Sequence, residues 1–172
     1  NIGTTLAEAI AMGPPVPVTK EIAALLRKAR AAEEQDRLLD PPETSAIALY
    51  RQVLEKDPNN PTALTGLARM GGAMRDWSIA ALERGDEPEA QRYAAVFADL
   101  PHADSELAAL RTRLKTLREV MPLLATAAEL LKQGRLVGEG TDSALGVYRK
   151  VLAIDPGNRI ADNGLAQIER GF

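Results

Sequence analysis

The chain has 172 residues, no cysteine, 45% hydrophobic and 26% charged residues and a formal net charge of −3. That balance suits one globular or solenoid domain, excludes disulfides and thiolate chemistry, and leaves nucleic acid without a general attraction. The longest apolar run, EVMPLLATAAELL from Glu119, is too short and too interrupted for a span of about 20 residues, so no membrane insertion is expected.

Aromatic residues make up only 3% of the chain and alternating β-branched runs are missing, so the pattern predicts an all-α protein of about seven or eight helices. Residues 1–19 read as a short helix, TLAEAIAM, followed by a Pro-rich linker; the start at Asn1 reads as a piece of a longer protein. From residue 20 to 172 a helical repeat domain is expected. Its first helix carries Ile22, Leu25, Leu26, Ala29 and Ala32 at helical spacing, and Glu33 and Glu34 read as a solvated face. After the linker LLDPPETSA, Ala46, Tyr50 and Val53 place a small residue, a ring and an aliphatic on one helical face. Asp57-Pro58 stops that helix, because the residue before proline is pushed out of the α region.

The next helix starts near Pro61. Gly71-Gly72 weakens it by roughly 1 kcal/mol per glycine relative to alanine, so a kink is expected there. Trp77 reads as a core or interface filler, with a ligand platform as the alternative. Asp86, Glu87 and Glu89 read as favourable charge at the start of the following helix. His102 is the only histidine and falls in a turn expected at the surface, so no histidine-based metal cluster, dyad or triad can be assembled. Beyond it, Leu107, Leu110, Leu114, Leu117 and Met121 form an apolar seam in which Pro122 predicts a break or kink. Arg111, Lys115 and Arg118 make a basic stripe beside that seam, readable as a solvated face or as a site for an acidic peptide or phosphate. GEGT, from Gly138, lacks the spacing of a phosphate loop and reads as a turn.

Sliding the chain by 98 positions aligns Leu25–Ala68 with Leu123–Ala166 without a gap, and 19 of the 44 positions are identical, where ordinary composition gives about 3. YRQVLEKDPNN thus returns as YRKVLAIDPGN, and GLA closes each copy. A weaker third copy sets Tyr93, Val96, Pro101, Leu107 and Leu110 against Tyr50, Val53, Pro58, Leu64 and Leu67. Three units follow, at about 20–60, 61–103 and 104–158, with a capping helix at 159–172.

The order of small residue, aromatic, aliphatic and Pro in each unit resembles the second helix of a tetratricopeptide repeat. The resemblance covers about residues 20 to 170. It implies a right-handed superhelical solenoid of about three helix-turn-helix units, working as a non-enzymatic scaffold for a protein or peptide on its concave face. Helices beginning near Pro61 and Arg159 would then supply the partner-binding residues Thr62, Thr65, Arg69, Asn163 and Gln167, with ordinary solvent positions as the alternative reading, and with Leu67 and Leu165 turned into the core. The alternative is a structural or oligomerisation module of a larger bacterial envelope protein, in which the chain forms a homo-oligomer. No catalytic constellation, cofactor or metal is expected. The compartment expected is the periplasm, with the cytoplasm as the alternative.

Overall fold

A computed structural model describes residues 17–171; the short helix expected within the first twelve residues lies outside them. The described residues form seven α-helices and no strand: α1 Lys20–Glu34, α2 Ala46–Lys56, α3 Pro61–Glu83, α4 Glu87–Asp99, α5 Asp104–Lys132, α6 Ala144–Ile154 and α7 Arg159–Glu169. A single 3-10 turn, Gly140–Asp142, precedes α6. The all-α expectation therefore holds.

Each helix begins where a side chain can accept from an otherwise unpaired backbone N–H. Thr19 accepts from Ile22 at 3.2 Å, Ser45 from Ala48 at 3.2 Å and Ser143 from Gly146 at 3.2 Å. Glu106 reaches back to the Ala103 N–H at 2.9 Å to start α5. Three helices end in the same way, with the chain turning left-handed and closing a hydrogen bond back onto the last turn. The closing bonds run from Arg37 to Ala32, from Asp86 to Ala81 and from Arg135 to Leu130, each 2.9 Å. Glycine supplies the left-handed residue at Gly85 and Gly134, but Asp36 takes it at the end of α1 with φ 56°.

Neither Gly71-Gly72 nor Pro122 breaks its helix. α3 runs through Gly71 and Gly72 without a break. A side chain built on Gly71 would stand 3.6 Å from Phe97 and 3.7 Å from Leu100, so the buried contact of α3 with the end of α4 supports the helix locally. α5 likewise continues through Pro122 for 29 residues. Pro122 is exposed, so the carbonyl that loses its N–H partner faces water, while Leu117, Val120, Leu124 and Ala127 keep an unbroken buried stripe on the other side.

Packing divides the described residues into two compact units: one of those up to Met74 with Val96–His102, the other of Arg75–Ala95 with those from Ala103 to Gly171. In the first, α1 packs on α2 around Ile22, Ala29, Ala32, Ile47, Tyr50 and Val53, all nearly inaccessible. In the second, α5 packs on α6 and α6 on α7 around Leu117, Val120, Ala127, Val147, Tyr148 and Val151.

The duplicated segments build the same helix pair twice. Tyr50 and Tyr148 are 1% and 4% exposed, and each ring lies against a glycine of the next helix. A Cβ on Gly66 would fall 2.6 Å from Tyr50 Cζ, and one on Gly164 2.3 Å from Tyr148 Cζ. Only glycine leaves room for the ring, which explains why GLA recurs. The Asp-Pro turns are built alike as well. Asn60 accepts from the Ala63 N–H at 3.0 Å and donates to Asp57 at 3.1 Å; Asn158 accepts from Ala161 at 3.0 Å and donates to Asp155 at 2.8 Å. All four side chains are buried and each asparagine pairs with its aspartate, as burial of polar groups demands.

Candidate functional site

Asn60 and Asn158 fix where α3 and α7 begin, and so which residues of those helices turn outward. On α3, Thr65 and Arg69 are exposed and Thr62 half-buried, while Leu67 is buried; on α7, Asn163 and Gln167 are exposed, and Leu165 is half-buried rather than enclosed. Thr62, Thr65 and Arg69 belong to the first unit, Asn163 and Gln167 to the second.

Arg69 is already engaged. Its guanidinium forks onto Glu33 of α1, with Nε 2.6 Å from Oε1 and Nη2 2.9 Å from Oε2, and the Tyr50 hydroxyl donates to Glu33 Oε2 at 3.0 Å. Glu33 is therefore an internal acceptor and not the solvated residue its neighbour Glu34 is. The Arg69 hydrogen bonds hold the Glu33 carboxyl below the usual carboxylate range, helped by Tyr50, while burial and the Glu33 bond push the Tyr50 hydroxyl up. The duplication carried the signal for this pair. Glu33 and Arg69 correspond to Leu131 and Gln167, so both charges are replaced together. Tyr148 is pushed up by burial.

The basic stripe is also reduced. Arg118 clamps Glu87 at the start of α4, with Nη2 2.7 Å from Oε1 and Nε 3.0 and 3.1 Å from the two oxygens. That contact, with one from Gln91, lowers the Glu87 carboxyl. Arg111 and Lys115 remain exposed. Between them Arg113, which its residue type alone did not single out, donates to the buried Asp155 at 2.7 Å and ties α5 to the α6–α7 turn. Of the acidic group before α4, Asp86 caps the helix by accepting from the Glu89 N–H at 3.2 Å.

Trp77 is 36% exposed and meets the Tyr93 ring edge-on at 5.4 Å. Arg92 lies 5.9 Å above that ring, and with Ala80 and Arg84 the two aromatics line a shallow cleft of about 270 Å3. His102 is half-buried. It stacks on Phe97 at 5.1 Å and has one ring nitrogen 3.1 Å from the Ala98 carbonyl. Among the described residues, no group of three or more His, Cys, Asp or Glu side chains is placed to hold a metal ion, and no helix is long and apolar enough to cross a membrane. Comparison with known proteins returned no matching family model, no matching curated protein and no matching solved structure.

Proposed function

We propose that the chain is a non-enzymatic protein–protein interaction scaffold built of tetratricopeptide-like helix pairs stacked as a right-handed solenoid, holding a peptide or protein partner on its concave face. One observation carries the reading. The two copies agree at the ring, its glycine, the Asp–Asn turn and the serine cap, yet differ at the outward positions, where Thr65 and Arg69 of one copy stand as Asn163 and Gln167 in the other. Core packing explains the agreement, the Glu33 ion pair accounts for Arg69 against Gln167, and the change of Thr65 to Asn163 is what contacts with something outside the chain would select. Thr62, Thr65, Asn163 and Gln167 are the contact residues of this reading, and Arg69 contributes only by what its ion pair leaves free. The periplasmic side of an envelope is the compartment that goes with it.

The test is binding of a captured partner to the chain carrying Thr65→Glu, Asn163→Glu and Gln167→Glu, with Arg111→Glu and Lys115→Glu as the comparison. All these residues are exposed, so melting temperature should change little while affinity falls at least tenfold in the first variant alone. A loss confined to the second variant moves the site to the stripe. The oligomerisation alternative draws on the exposure of Trp77, Leu64 and Ile160, and a solution mass that doubles with concentration would favour it.

A further inference from the structure

The linkers that join the paired helices begin alike and then part. In both, the first two residues of the second helix donate back to the linker, Ala46 and Ile47 to Arg37 and Leu38, Ala144 and Leu145 to Arg135 and Leu136. In the second copy the linker then lies down on α6. A Cβ added to Gly146 would fall 1.5 Å from the Gly140 carbonyl oxygen, and Gly140 itself has φ 57°. Neither condition can be met in the first copy. Ala48 stands in place of Gly146 and Pro42 in place of Gly140, and proline is held near φ −65°. The linker from Leu38 to Ser45 therefore cannot lie on α2 in the same way at this point.

What accompanies it is a cleft of about 460 Å3 bounded by α1, the linker and α2, within the range of small-molecule sites, roughly 300–1,000 Å3. Buried Leu49 with half-buried Leu25 and Ala31 give it an apolar side, and Lys28, Arg37 and Glu43 give it a charged one. Arg37 is held in place by Gln35 at 3.0 Å and by Thr44 at 3.5 Å. Neither cation forms an ion pair among the described residues, and against them stands one carboxylate, so the cleft has a net charge of one positive unit at neutral pH. In the second copy the position of Lys28 is Thr126, and this pair of cations is not repeated.

We infer that this cleft binds an aliphatic carboxylate, its apolar body against Leu25 and Leu49 and its charge between Lys28 and Arg37. The inference does not depend on the scaffold reading above. The carboxylate could be that of a free acid or that of an acidic side chain beside a leucine in a peptide. Titration of the full chain with octanoate, octanamide and acetyl-Leu-Glu-amide, followed by backbone amide shifts in NMR, tests the inference and separates the sources. Octanoate or the dipeptide should shift amides in residues 25–52 saturably, the tighter of the two naming the source. Octanamide should bind at least about tenfold more weakly, because it lacks the charge. Lys28→Gln and Arg37→Gln should each weaken the acid about fivefold or more, and Lys28→Gln, at an exposed position, should leave the melting temperature unchanged. Saturation by neither acid, equal binding of octanamide, unchanged affinity in both variants, or equal shifts in residues 123–150 would overturn the inference.

Discussion

Tyr50 and Tyr148 occupy equivalent places but differ in one bond, and that difference is measurable. Tyr50 donates to an ion-paired carboxylate, so Tyr50→Phe should cost about 1–2 kcal/mol, as loss of a hydrogen bond to a charged group does, whereas Tyr148→Phe should be close to neutral. Equal costs in denaturant unfolding would contradict the contrast. The same carboxylate sets a pH dependence. In the fold Glu33 titrates below its ordinary value of 4.5, so on acidification the unfolded chain takes up that proton first. The stabilisation is complete above the ordinary value and is lost as pH falls through the folded one. Glu33→Gln should flatten the stability curve in that acid window. Tyr50 acts at the other end: its folded value is raised above 10.0, so the unfolded chain ionises first and stability declines as pH rises beyond that point. Asp36 offers a gain, since it takes the left-handed residue that Gly134 takes in the second copy. Asp36→Gly should raise stability by about 0.5–1 kcal/mol, read as a higher unfolding midpoint.

At the scale of elements, α5 carries a proline that its packing tolerates but does not use. Pro122→Ala restores one backbone hydrogen bond and removes the clash on an exposed face, so it should stabilise the chain by about 1–3 kcal/mol; an unchanged or lower melting temperature would show that the proline shapes the helix after all. The two linkers respond for different reasons and to different degrees. Gly146→Ala drives a methyl group into the Gly140 backbone, which cannot move aside as a side-chain end can, and should cost about 1–3 kcal/mol as overpacking does. Ala48→Gly meets no such contact and should cost only about 1 kcal/mol in helix propensity.

On the scale of the whole chain, the two compact units predict where damage is felt. Tyr50→Ala and Tyr148→Ala each empty a fully packed position and should each cost about 3–5 kcal/mol. Native-state hydrogen exchange should show the loss of protection centred on α1 and α2 for the first and on α5, α6 and α7 for the second. Uniform loss in both would mean that the units open together. Most of the helices were readable in advance because their periodicity and Asp-Pro stops are local features, as was the duplication, which needs only comparison of the chain with itself. Gly71-Gly72 does not interrupt its helix and Pro122 does not end its own for one shared reason: local propensity costs a few kcal/mol at most, and burial of Met70, Met74 and Phe97 around the first and of Val120 and Leu124 around the second outweighs it. Arg69 was read as a free outward residue because its partner lies 36 positions away, beyond any helical spacing. What sequence by itself determined is therefore the helical class, the Asp-Pro stops and the repeated pair, all governed by interactions within a few residues or by self-comparison. Which charges are spent on each other, which glycines carry a ring or a carbonyl against them, and where a cleft stays open were decided only by tertiary structure, because each depends on atoms that approach from a different helix.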